Sequence, residues 1–185
     1  MPLKFAFIVG CLAIAGVSYF FCKSKKDWAW LCAGLLFTVG ADYFLVLQNR
    51  HLPGVAVFCF AHVCYILRAM QPRSKVKATL AVAVLAAVIL FTFINGSLLF
   101  LTGIYAGLFV TNIALNIKFC KINKPLVLTG LVLFMLCDIN VALFNLPQHL
   151  NFPIFPWVFT LIWVFYLPSQ LLLSVSAVAF PKLKE

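Results

Sequence analysis

Acid is what this chain has least of. Its 185 residues contain only four carboxylate side chains, Asp27, Asp42, Asp138 and Glu185, and charged residues of both signs make up 10%. A soluble domain carries roughly a quarter charged residues, so this chain cannot clothe an ordinary water-facing surface. Long soluble loops, low-complexity tracts and linkers are absent too. So are a CxxC pair, paired His/Cys spacing, a phosphate-binding glycine loop, a GxSxG elbow and an HExxH pair. Those absences remove the usual zinc sites and soluble-hydrolase machinery from consideration. The seven cysteines fall mostly inside apolar runs and read as small buried residues, not as a disulfide framework.

Apolar residues are abundant: 65% of the chain, with a mean hydropathy of +1.10. Several runs reach the ~20 residues needed to cross a bilayer as a helix. The fold class expected is therefore all-α, a single polytopic membrane domain over 1–185. Seven spans are read, at about 3–22, 28–47, 54–70, 78–94, 97–118, 125–146 and 153–180. Breaks rich in Lys, Pro, Gly and Asn separate them, including a tight turn at Asn95-Gly96.

Basic charge supplies an independent check on that count. Threading the chain through seven spans leaves only Lys4 and Arg50 on the side of the amino terminus. The other side collects Lys23, Lys25, Lys26, Arg68, Arg73, Lys75, Lys77, Lys118, Lys121, Lys124, Lys182 and Lys184. Cytoplasmic loops carry the Lys/Arg excess, which places the amino terminus outside and the carboxyl terminus inside. The formal net charge of +10 is then topogenic, facing phospholipid head groups and not nucleic acid. The first span reads as an uncleaved anchor, because its stronger charge cluster follows the apolar run. Short loops point to a bacterial cytoplasmic membrane, with the endoplasmic reticulum as the alternative.

Two of the four acids, Asp42 and Asp138, lie within apolar spans, while Asp27 reads as a loop residue and Glu185 as a terminal one. A carboxyl at the centre of a membrane helix costs about 2.5–3.5 kcal/mol on insertion scales and by default marks a functional site. Helix geometry puts Asp42 about 8 Å, and Asp138 and His62 about 12 Å, beneath the outer surface. Tyr105 falls at a similar depth and Tyr166 somewhat deeper. His62 and Tyr65 share a helix face, as do Tyr166 and Gln170, with Pro168 between them; Tyr105, Asn112 and Asn116 line another. Polar groups in lipid turn inward, so these faces should meet in one cavity, open outward and closed toward the basic side. Each residue also has a structural reading. The tyrosines can be packing aromatics, Asn112, Asn116 and Asn140 interhelical hydrogen bonders, and His62 or either Asp a fixed helix contact.

At these residues the chain resembles a known family. VGADYFLVL, FCFAHVCYI, TGLVLFMLCDINVALF and FYLPSQLLL are similar to the ordered motifs of the YhhN family, which includes the lysoplasmalogenases of the transmembrane protein 86 group. The likeness covers about 28–176, matching Gly40 to Leu45, Phe58 to Tyr65, Gly130 to Asp138 and Tyr166 to Gln170. Here Ala41 is an extra residue before Asp42, Cys137 stands where a serine is usual, and the family usually has one further amino-terminal span.

What the resemblance implies is hydrolysis of the vinyl-ether bond of a lysoplasmalogen, giving a fatty aldehyde and a glycerophospho head group. Protonating the vinyl ether requires one protonated carboxyl, and capturing the resulting cation with water requires a second group as base. Two carboxyls sharing a low-dielectric site divide these roles, because both cannot cheaply ionise. The expected catalytic set is Asp42, Asp138 and His62, with Tyr65, Tyr105, Tyr166, Gln170, Asn112 and Asn140 binding substrate. No cofactor or metal is needed, and the partners are a lysophospholipid-type lipid and the bilayer. Two other classes use the same residues: a proton-coupled small transporter with the aspartates as relays, and a lipid-binding protein without turnover.

Overall fold

The computed structural model describes residues 2–70, 75–145 and 156–179. Arg73, His149, Lys182, Lys184 and Glu185, and the expected beginning of the last span at 153, lie outside the described residues. Seven helices follow in order: α1 Pro2–Val17, α2 Lys25–Asp42, α3 His51–Met70, α4 Lys75–Ile94, α5 Leu98–Phe119, α6 Lys124–Asn145 and α7 Pro156–Val175. A 3-10 turn, Ser18–Phe21, extends α1, and a π turn, Tyr43–Leu47, extends α2. Among the described residues there is no strand, only an isolated antiparallel bridge between Cys22 and Val178.

The expected all-helical class holds, and six helices, α1, α2, α3, α5, α6 and α7, are long and apolar enough to cross a membrane. The run expected as the fourth span forms α4. Helix starts move where proline was taken for a break. α3 begins at His51, with Pro53 inside its first turn, where a missing N–H leaves no bond unmade. The turn between α4 and α5 is the expected one, with Gly96 at φ +67°, a backbone conformation that suits glycine.

Packing arranges the helices as a ring. α2 lies along α3, α3 along α5, and α6 along α7; α5 touches α6 and α2 touches α7, which closes the circuit. α1 fits against α2 and α7, while α4 leans on α3 and α5 from outside through Ile89, Ala56, Cys59 and Leu101. Large apolar residues face outward all round, among them Leu90, Leu99, Val110 and Val164, as expected of surfaces solvated by lipid. Without a hydrophobic drive between helices, close approach depends on small residues. A Cβ on Gly34 would come within 2.5 Å of the Tyr65 ring, and one on Gly130 within 3.0 Å of Leu173. These two glycines let α2 meet α3 and α6 meet α7.

One end of the ring is fastened by polar contacts. Arg68, in the last turn of α3, is buried and grips Asp27 with two bonds, Nε to Oδ1 at 3.0 Å and Nη2 to Oδ2 at 2.8 Å. Its Nη1 donates to Ser176 Oγ at 2.7 Å. Asn123 Nδ2 donates to the carbonyls of Ser176 at 2.9 Å and Val178 at 2.6 Å. Ala179 N–H reaches Phe21 O at 2.8 Å. This clasp corrects two sequence readings. Asp27 is a buried residue in the first turn of α2, not a loop acid, and Arg68 is a buried ion-pair partner as well as a charge on the basic side.

Candidate active site

Asp42 closes the α-helical part of α2 and is 4% exposed. Immediately beyond it the helix widens to a π turn, in which Gln48 N–H reaches Tyr43 O, five residues back, at 3.2 Å. Single π turns occur frequently at functional sites. From α7, Tyr166 donates its hydroxyl to Asp42 Oδ2 at 2.5 Å. On the facing side of the ring, Tyr105 of α5 donates its hydroxyl to Asp138 Oδ2 of α6. Each carboxyl therefore holds a tyrosine from a neighbouring helix.

Between the two pairs stands a packed set of rings. Phe134 lies 5.6 Å from Tyr166, 5.7 Å from Phe58 and 5.7 Å from His62, centroid to centroid. His62 continues the set, 4.3 Å from Phe109 and 5.0 Å from Tyr105. The band of polar groups expected from five spans is thus assembled around one aromatic centre, from α2, α3, α5, α6 and α7. Two surface grooves, of about 520 Å³ along Ser97 to Ile104 and about 280 Å³ between α1 and α7, are not lined by either carboxyl.

His62 is fully buried and bonds neither carboxylate. Asn116 Nδ2 donates to Asn112 Oδ1 at 2.7 Å, which leaves the Asn112 amide N–H facing His62 Nδ1 at 3.1 Å. A neutral imidazole with Nδ1 as acceptor carries its proton on Nε2. That Nε2 has no hydrogen-bond partner among the described residues, and the same holds for Gln170 Oε1 and Trp163 Nε1. Unpaired polar atoms are costly in a buried site and uncommon unless function retains them.

The remaining expected residues separate. Tyr65 packs toward the clasp, its ring against Gly34 and its hydroxyl beside Thr38, outside hydrogen-bond geometry. Asn140 is buried and returns its amide to Leu136 O of its own helix at 2.7 Å. Gln170 sits one turn beyond Tyr166, 0% exposed, with only a long 3.5 Å contact to Ser169 Oγ. Sequence reasoning missed Phe58, Phe109 and Phe134, because nothing separates three phenylalanines from the other seventeen before the chain is folded.

Residues 3–177 match the YhhN family. The chain belongs to that family. The match takes in α1 as well as the region 28–176 on which the likeness was first read. No curated protein and no solved structure matches the chain.

Proposed function

We propose that this YhhN protein is a membrane hydrolase that cleaves the vinyl-ether bond of a lysoplasmalogen. The observation that carries the reading is the pair of tyrosine-held carboxyls, Asp42 with Tyr166 and Asp138 with Tyr105, flanking one aromatic centre. One aspartic acid protonates the β-carbon of the vinyl ether, and the cation forms on the carbon bonded to the ether oxygen. The other carboxylate takes a proton from water as that water adds to the cation. The hemiacetal that results breaks to a fatty aldehyde and the glycerol hydroxyl: the first carboxylate takes the hemiacetal O–H proton, and the second, now protonated, gives its proton to the departing glycerol oxygen. One water is consumed, and both carboxyls end as they began.

The rings of Phe58, Phe109 and Phe134 supply a low-dielectric surround in which the cation is steadied by a nearby carboxylate. Gln170 Oε1 and His62 Nε2–H are the unpaired polar atoms available to water or to the glycerol. Asn112 acts through His62 as a positioning residue, and Tyr65 and Asn140 support packing. The reading includes one seven-helix domain in which α4 crosses as well, with the amino terminus outside in a bacterial cytoplasmic membrane. The clasp at Asp27 and Arg68 then seals the cytoplasmic end, which favours a site served from one side over a carrier.

The test is aldehyde release from an alkenyl lysophospholipid by the purified chain. Asp42→Asn and Asp138→Asn should each lower turnover by about 10²–10⁴-fold. Full activity in either variant rejects the assignment, and pH-gradient-driven uptake into proteoliposomes without aldehyde release replaces it with a carrier.

A further inference from the structure

A second polar feature lies about a helix turn from the tyrosine of Asp42 and plays no part in the chemistry above. Between α1 and α7 runs a groove of about 280 Å³ lined by Lys4, Phe159, Thr160, Trp163, Val164 and Leu167. Its apolar length covers two turns of α7, and Lys4 stands near the start of α1. The Lys4 ammonium rests over the Trp163 ring, 3.8 Å from its centroid, with Phe159 at 4.6 Å. Trp163 also meets Tyr166 edge-on at 5.9 Å, so the groove and the Asp42 site share a wall.

The charge on Lys4 is unmatched. Among the described residues the one ion pair is Arg68 with Asp27, and the other two carboxyls in that region, Asp42 and Asp138, are held by tyrosines. Aromatic faces orient a lysine but leave its N–H donors free to take an anion. A cation held over Phe159 and Trp163, in a groove that Val164 and Leu167 continue with apolar side chains, matches one kind of molecule. That molecule has a phosphate at one end and a single hydrocarbon chain at the other.

We propose that the α1–α7 groove seats a single-chain phospholipid, its phosphate on Lys4 and its chain along Phe159, Val164 and Leu167. The proposal rests on the hydrolase reading only in taking this lipid to be the substrate class; seating itself needs no turnover. A groove of only about 280 Å³ favours one chain over the two of a bulk phospholipid, and the charge favours a phosphate over a neutral glyceride.

Binding is measured on the full chain in detergent by native mass spectrometry, with an ester-linked lysophosphatidylethanolamine that has no vinyl ether to cleave. The expected result is retention at least tenfold tighter than for a monoacylglycerol of equal chain length. Lys4→Gln should abolish that preference and Lys4→Arg preserve it, while glycerol phosphate alone should not compete. Val164→Trp, which fills the trough, should weaken both lipids together. Unchanged preference in Lys4→Gln overturns the proposal. So does equal retention of diacyl phosphatidylethanolamine, which would mark ordinary bilayer contact. Loss of aldehyde release in Asp42→Asn with intact lysolipid binding leaves this seat standing, whereas failed aldehyde release in the wild type with a Lys4-dependent preference sinks only the hydrolase.

Discussion

Tyr166 of α7 donates its hydroxyl to Asp42 of α2 at 2.5 Å, joining residues 124 positions apart in the chain. Tyr105 repeats the arrangement on Asp138 from α5 to α6. Two carboxyls treated alike, each by a tyrosine from the next helix, indicate a paired role. Removing one such hydroxyl leaves a buried carboxyl short of a donor, at a cost of about 1–3 kcal/mol. Tyr166→Phe and Tyr105→Phe should therefore each slow aldehyde release about 10–100-fold, less than the Asp→Asn variants, with the fold retained by circular dichroism. Equal activity in both Phe variants would mean that the tyrosines only pack.

The Asn116–Asn112 pair sets the protonated nitrogen of His62. Asn112→Leu removes the donor to Nδ1 and should let the ring carry its proton on either nitrogen. The check is ¹⁵N NMR of histidine-labelled protein, which has only His51, His62 and His149 to assign. Wild type should show one buried neutral ring protonated at Nε2, and Asn112→Leu a mixture. An unchanged His62 signal would refute the relay.

Arg68 and Asp27 are buried together, with side chains 4% and 7% exposed. Breaking such a pair from one side leaves an uncompensated buried charge and costs about 3–5 kcal/mol. Arg68→Gln and Asp27→Asn should each lower the thermal unfolding midpoint in detergent well below wild type. The double variant should lose less than the two single losses added together, since neither charge is then orphaned. Strict additivity would show that the two groups do not depend on each other.

Membrane orientation can be read by labelling single cysteines in a cysteine-free background. Ser97→Cys, in the turn between α4 and α5, should react with an impermeant thiol reagent added outside intact cells. Lys121→Cys, between α5 and α6, should react only after the membrane is opened. Labelling of Ser97→Cys only from inside would reverse the topology or remove α4 as a span, and labelling of both from one side would remove α5.

Much of this protein is legible in its composition. Water-avoiding runs of fixed length become helices because lipid leaves backbone polar groups no other partner, which yielded the helix order with ends shifted by a few residues. Asp42 and Asp138 stood out for the same reason: a carboxyl within hydrocarbon is conspicuous wherever it occurs. The match over 3–177 agrees with what those motifs implied. Asp27 was hidden by its setting, since an acid after KSKK looks like one more loop charge.

Partnership was decided only by the tertiary structure. Arg68 reaches Asp27 across 41 positions, Tyr105 reaches Asp138 across 33, and His62 turns to Asn112 across 50. A helical repeat tells which face a side chain occupies, but helices in lipid attract one another without direction, so their neighbours are chosen by fit. Gly34 and Gly130 set how closely particular helices approach, and that closeness determines which hydroxyl meets which carboxyl.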